Sequence, residues 1–473
     1  MIWTPIDSVL AWLGTLLHVG LAAAVTLHAL LKKRDVAAAI AWIGLAWLSP
    51  IVGPVLYVVF GINRIERKAR RLRSRRGGLW IDDPATFAVA REDHLAPLQH
   101  AIGVLTRRPP RDGTALSILR NGDEAYPPML AAIDGAERSV CLVSYIFDDD
   151  EAGSRFVDAL IAAHRRGVQV RVIVDGIGSG YFRSPAHARL AAAGVPAARF
   201  LHSFVPWRTS FFNLRNHKKI LAVDGARAFI GGINIQSENV LALNPAWPVR
   251  DMHFGIAGPV VGQIVEAFAA DWHFCTGEDL KGPAWFPQLG PAGPASARVI
   301  TSGPDDELER IGLAMIAAVG VAQRSIQIIT PYFLPDARFV SALGLAAMRG
   351  VAVDIVLPEK CDHRLLDWAM AAHIPPLIAS GVRFWRAALP FEHSKLMAVD
   401  QAWSLIGSAN WDMRSLRLNF EITLEVCCPI FSRLVGEAIT AKQDHRILAE
   451  QLDARPLWAQ LRDSAARLLL PYL

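Results

Sequence analysis

His217-Lys-Lys219-Ile-Leu-Ala-Val-Asp224-Gly-Ala-Arg-Ala-Phe-Ile-Gly231-Gly232-Ile-Asn234 is matched, interval for interval, by His393-Ser-Lys395-Leu-Met-Ala-Val-Asp400-Gln-Ala-Trp-Ser-Leu-Ile-Gly407-Ser408-Ala-Asn410. Both read H-x-K-x4-D-x6-G-[GS]-x-N. Five fixed positions at such spacing arise by chance roughly once in a million starting points, so two matches in one chain are a strong signal. In an extended chain residues i and i+2 share a face, so His217 and Lys219 point together, as do His393 and Lys395. The apolar runs Ile220 to Val223 and Leu396 to Val399 read as strand. Asp224-Gly225 reads as a tight turn, and Ala228 to Ile230 and Trp403 to Ile406 read as the returning strands. Gly231-Gly232 and Gly407-Ser408 lack bulk and leave room for backbone and a ligand to approach.

Imidazole, ammonium and amide, presented twice around a gap lined by small residues, suit a phosphate diester. One His can attack phosphorus; the other can protonate the departing oxygen. Lys219 and Lys395, with Asn234, Asn410 and Ser408, can hold the charged oxygens as charge builds. Nothing in the pattern calls for a metal, since an ammonium cannot be a ligand, and no cofactor is expected. A single H-x-K reads equally well as an exposed strand pair; the recurrence with Asp, Gly and Asn in register is what favours chemistry. Asp224 and Asp400 belong to the signature by position, but an Asp beside a turn is commonly structural, and that role is favoured for both.

These residues resemble the duplicated signature of the phospholipase D superfamily, with no departure in the motif core. The resemblance implies a phosphohistidine intermediate, no metal, one active site built from both halves, and attack by His217 with His393 as general acid. Trp247-Pro-Val-Arg-Asp251 with Gly258-Pro259, Asn419-Phe-Glu421, Asn213-x-Arg215-Asn216 and Thr330-Pro-Tyr-Phe-x-Pro335 resemble the bacterial cardiolipin synthase branch, and the likeness covers nearly the whole chain. In that branch an acid at the Asp251 and Glu421 positions bonds the far nitrogen of a catalytic His, as in a triad. The bland alternative for each is an ion pair, for instance with Arg250 or Arg417.

The chain's 473 residues are 52% hydrophobic, and its mean hydropathy is +0.27. The apolar excess is N-terminal: Val9 to Leu31 is 23 residues without a full charge, and Val36 to Ile62 is 27. Either could cross a hydrocarbon core of ~30 Å, and the first lacks a signal-peptide cleavage site. Pro50, Gly53 and Pro54 would kink the second or bend it into a re-entrant turn. The run Arg64 to Arg76 carries +7 net, residues 1–63 carry +1, and residues 77–473 carry −3 of the chain's +5. The basic run fits anionic headgroups and places the following body in the cytoplasm, at the inner (plasma) membrane of a multi-pass protein. Five scattered cysteines without a C-x-x-C fit reduced thiols.

The expected division is a transmembrane hairpin over 1–63, a basic linker over 64–111, and two phospholipase D-like halves over 112–290 and 291–473. Within the first half, strands over 139–147 and 168–174 flank a helix over 154–166; strands over 325–333 and 351–357 flank one over 337–349 in the second. Alternation of this kind argues for a mostly parallel sheet. The fold class is therefore a duplicated α/β sandwich with pseudo-two-fold symmetry. The apolar cluster Phe204, Val205, Pro206, Trp207, Phe211 and Phe212 reads as core or as an acyl-chain entry.

Four functions compete. The first transfers a phosphatidyl group from one phosphatidylglycerol to another, releasing glycerol. The second gives the same intermediate to water. The third, a nuclease, needs a basic groove, which a body at −3 opposes, so no nucleic acid is expected. The fourth, a non-catalytic scaffold, leaves two intact motifs unexplained. A homodimer is compatible with the sequence.

Overall fold

In the computed structural model of the protein, residues 5–33, 36–61, 93–201, 214–304 and 307–468 are described. The chain divides into two compact units, Met1–Lys68 and Ala69–Leu473. The basic run 64–76, most of the expected linker, and the cluster Phe204 to Phe212 lie outside the described residues.

The first unit opens with the helix Pro5–Lys32, of which Trp12–Lys32 is apolar and long enough to cross a membrane. The second apolar stretch differs from the expectation of a second span. Its helix, Val36–Leu48, has 13 residues, ~20 Å at 1.5 Å per residue and short of a ~30 Å core. After Pro50, which lacks a backbone donor, the chain resumes as the short turns Val52–Leu56 and Tyr57–Gly61. Among the described residues one helix, not a hairpin of two, has spanning length.

The second unit is built on a 15-stranded sheet. Outward from its centre, one side runs Arg111–Arg120, Met252–Ala257, Arg227–Gly231, Ile220–Val223, Ser139–Ser144, Gln169–Asp175 and Ala197–Phe200. The other runs Ala295–Ser302, Glu421–Cys427, Trp403–Gly407, Leu396–Val399, Ser325–Ile329, Ala352–Pro358 and Arg383–Ala387, with His445–Ile447 added at the edge. Each half therefore lays down its strands in the same order. The sheet is mixed, where a mostly parallel one was expected. Parallel pairs occur where a helix crosses over, as from Ser139–Ser144 through Glu151–Arg165 to Gln169–Asp175. Each H-x-K strand instead turns back through a tight hairpin and pairs antiparallel on both sides.

Local chemistry explains the crossover helices. Asp150 caps Glu151–Arg165 by accepting from Gly153 N at 2.8 Å, and Asp336 caps Ala337–Met348 through Arg338 N and Phe339 N. Phe156, Val157 and Leu160 share the inner face of the first helix and are fully buried, each contributing about 1.5–3 kcal/mol. A core cluster drawing on both halves joins Phe254, Val265 and Phe268 to Ile422, Phe431 and Val435. The expected linker is also corrected near its end: Ala96–Thr106 is a helix, and Leu95, Leu98 and Ile102 are buried in the core of the second half.

Candidate active site

Each H-x-K begins just before its strand, and its histidine is tied to the other half of the chain. His217 N donates to Phe420 O at 2.9 Å, and Phe420 N returns a bond to Arg215 O at 2.8 Å. His393 N donates to Arg250 O at 2.7 Å, where Phe391–Glu392 pairs in parallel with Val249–Arg250. The residues after Phe420 and Arg250 are Glu421 and Asp251. Backbone pairing thus carries each half's acid to the other half's imidazole: His217 Nδ1 lies 3.1 Å from Glu421 Oε2, and His393 Nδ1 lies 2.7 Å from Asp251 Oδ2. The ion-pair alternatives are not realised, since Arg250 faces Glu392 and Arg417 faces Glu309.

The carboxylates fix the rings with Nδ1–H donated, leaving Nε2 of both without a hydrogen-bond partner among the described residues. Lys219 Nζ donates to His217 O at 2.8 Å, and Lys395 Nζ donates to His393 O. Lys395 Nζ also lies 2.9 Å from His393 Nδ1. That nitrogen's proton already points at Asp251, so this contact is packing, and the ammonium's electrostatic partner is Asp251 at 3.7 Å. The intervening residue points away: Lys218 Nζ reaches Asp271 at 2.8 Å, beneath the site.

Burial sets the charge states. It lowers His217 to about 4, against the pull of Glu421, and lowers Lys219 to about 7. His393 is lowered by burial and by Lys395, and Lys395 itself is lowered by burial. Burial raises both acids, but Lys395 and His393 pull Asp251 below its ordinary value, and His217 and Lys219 do the same for Glu421. The site holds more latent positive charge than it carries when empty, as a pocket for an anion should.

The small residues admit protein as well as any ligand. A Cβ on Gly232 would sit 2.3 Å from Asp251 Oδ1, and one on Gly407 would sit 2.3 Å from Ile422 O. Ser408, expected at the phosphate, instead donates its hydroxyl to Glu421, so its place is behind the acid. Asn234 Oδ1 accepts from Ile146 N at 3.2 Å, and Asn410 Oδ1 is buried with no partner among the described residues. Asp224 and Asp400 are not brought to the histidines. They stand at the far ends of the H-x-K strands in left-handed backbone. Asp224 accepts from the amides of Glu137, Arg138 and Ser139, and Asp400 from those of Gln323, Arg324 and Ser325, with His94 at 2.7 Å.

The chain matches the family described as cardiolipin synthase, phospholipase D-like domain, over residues 129–272 and 315–438. It is 32% identical to the major cardiolipin synthase of Bacillus subtilis, across 99% of this chain and 100% of that one. The chain belongs to the cardiolipin synthase family. It is also 33% identical to a cardiolipin synthase A of Pseudomonas putida, across 98% of this chain and 97% of the other. Residues 20–61 match a phospholipase D-nuclease N-terminal family. A phosphatidylserine synthase from Haemophilus influenzae has a similar fold, with a TM-score of 0.59 at 15% identity over 80% of this chain and 100% of its own.

Several site residues escaped the sequence reading. Tyr145 sets its ring edge-on to His217 with centroids 4.9 Å apart, and Tyr332 does so to His393 at 6.2 Å. Ser415 donates to Glu421 Oε1. His253, two residues beyond Asp251, is buried with neither ring nitrogen partnered among the described residues, and burial lowers it to about 4. The available signals were a Tyr near the end of each strand that precedes the crossover helix, and a His in step with Asp251 along its strand.

Proposed function

We propose that the protein transfers a phosphatidyl group between two phosphatidylglycerol molecules, giving cardiolipin and glycerol, through a phosphohistidine. The observation that carries this reading is the crossed pairing of Glu421 with His217 and Asp251 with His393. It aims two imidazoles, each with Nε2 open, at one site from opposite halves, and it supports a pseudo-two-fold relation between those halves.

His217, neutral because burial holds it near 4, attacks phosphorus through Nε2. The bond from phosphorus to the glycerol oxygen breaks as His393 gives that oxygen its proton. His393, now neutral, takes the proton of the incoming hydroxyl, whose oxygen displaces His217 from phosphorus. Lys219, Lys395, Asn234 and Asn410 hold the non-bridging oxygens as charge accumulates. Asp251 and Glu421 orient the rings and stabilise the imidazolium forms. Asp224 and Asp400 support the turns and take no part in the chemistry. The basic run over 64–76 places the catalytic unit on the cytoplasmic side of the membrane.

The test is purified full-length protein with phosphatidylglycerol labelled in both acyl and glycerol groups. Cardiolipin and free glycerol in equal amounts support transfer; phosphatidic acid as the main product would assign the intermediate to water.

A further inference from the structure

The two halves repeat one another closely enough for each to serve as a control for the other, and two positions differ sharply. Two residues before His217 stands Arg215, whereas Phe391 precedes His393 at the same interval. Four residues after Asn410 stands Arg414, whereas Glu238 follows Asn234 at that interval. A fold that accepts Phe and Glu at these places does not require arginine there.

The arginines are near enough to act on one another and on Tyr145 electrostatically. Asn216 turns its amide away to Asp271 at 2.8 Å, so Arg215 and His217 share the other face of the chain. Tyr145 spans them: its ring lies on His217 and its hydroxyl accepts from Arg215 Nη1. Arg414 lies next to Ser415, which holds Glu421. Both arginines are half-buried, and the Nε of each is buried with no hydrogen-bond partner among the described residues. Among the described residues neither guanidinium has an ion-pair partner. The carboxylates nearby act on the arginines from a distance, their oxygens being held by other donors: Asp175 accepts from the amides of Ile177, Gly178 and Asn216, and Asp412 accepts from Ser415 N. Burial lowers Arg414, and Arg215 beside it lowers it further. Two like charges kept near one another, partly dehydrated and without a direct ion pair among the described residues, form the kind of fork that binds a phosphate.

The geometry points to a second phosphate site at Arg215 and Arg414, which takes the phosphate of the acceptor phospholipid while the first phosphate is bound to His217. This rests on the transfer reading above and deepens it. A reaction that joins two phospholipids must hold two phosphates at once, and Lys219, Lys395 and the two asparagines account for only one. The acceptor hydroxyl enters from the His393 side, in line with the bond to His217. Its three-carbon glycerol then allows the second phosphate to fold back over the site to the arginines.

The experiment uses the partitioning of a shared intermediate. Full-length protein in mixed micelles is given phosphatidylglycerol and labelled glycerol. The phosphatidyl-enzyme then reacts either with phosphatidylglycerol, giving cardiolipin, or with glycerol, a neutral acceptor, giving labelled phosphatidylglycerol. The ratio of the two products does not depend on how much protein folded or how fast the intermediate formed. Arg215→Gln and Arg414→Gln should each lower the ratio of cardiolipin to labelled phosphatidylglycerol about tenfold, with Arg414→Lys falling between. An unchanged ratio, with or without lower total turnover, overturns the site, because the arginines would then serve the donor or the fold. A wild-type protein that exchanges glycerol but forms no cardiolipin overturns the transfer reading itself.

Discussion

Asp251 Oδ2 lies 2.7 Å from His393 Nδ1, although 142 residues and the boundary between the two halves separate them. Glu421 answers for His217 from the opposite direction. Neither half holds a complete histidine–acid pair, so the two acids should have separable effects. In the proposed mechanism Asp251→Asn disables the proton donor and Glu421→Gln the nucleophile; each should lower cardiolipin synthesis on the order of a thousandfold or more. With a phosphatidyl substrate carrying a good leaving group, Asp251→Asn should still form the covalent adduct at a rate near wild type, and Glu421→Gln should form it slowly. Rapid-quench measurement of adduct formation checks this; equal rates for the two variants would contradict crossed roles.

Gly232 leaves the space that the carboxylate of Asp251 fills. An added methyl group would sit 2.3 Å from Asp251 Oδ1 and 2.4 Å from Oδ2, so Gly232→Ala must push the carboxylate away from His393. We expect a loss of at least about a hundredfold in kcat, since small misplacements of a catalytic group cost that much, with KM little changed. Ser408→Gly, at the matching place behind Glu421, removes a bond without a clash and should cost less. The reverse order would mean that Gly232 does not position Asp251.

The turn aspartates should behave as structural residues. Asp400 is fully buried at its side chain and accepts three backbone amides. Asp400→Ala leaves those donors unmet, at a cost of about 2–4 kcal/mol. Thermal unfolding should shift down by several degrees, while turnover per folded molecule stays within a few-fold of wild type. A variant of unaltered Tm that has lost turnover would move Asp400 into the chemistry.

Binding of an anion should take up protons. In the empty site Lys219 is lowered to about 7, and Lys395 and His393 are also lowered. A phosphate diester favours their charged forms, so their pKa values rise on binding. A group that gains a proton with the ligand binds it more weakly as pH climbs above the free-state value. Affinity for a non-transferable phosphonate diester should therefore fall between pH 7 and 9, by up to about tenfold per unit. Calorimetry in buffers of different ionisation enthalpy should register net proton uptake; release, or no exchange, would contradict the lowered lysine.

The β-hairpins, the crossover helices and the pairing of like residues between copies were legible in the sequence because short-range patterns determine them: continuous apolar runs, turn residues and the recurrence of one motif at identical intervals. The mixed character of the sheet was missed because the alternation of strands and helices outweighed the two hairpins read after the H-x-K motifs, whose strands pair antiparallel on both sides. The crossing of Asp251 and Glu421 was also invisible, because it depends on the parallel pairing of Val249–Arg250 with Phe391–Glu392, a contact between distant segments. Ser408 was misassigned for a related reason: a small polar residue beside a site reads as a ligand contact until the acid it holds comes into view. The second apolar stretch read as a possible span by length, but Pro50 ended its helix after 13 residues.

The proposed mechanism turns on the division of labour between His217 and His393. The direct test is to treat His393→Ala and His217→Ala with a phosphatidyl substrate whose leaving group needs no protonation, quench, and locate the adduct by mass spectrometry of peptides. A phosphatidyl group on His217 in His393→Ala, and no adduct in His217→Ala, is the expected result. A phosphatidyl group on His393, with His217 unmodified, would contradict it.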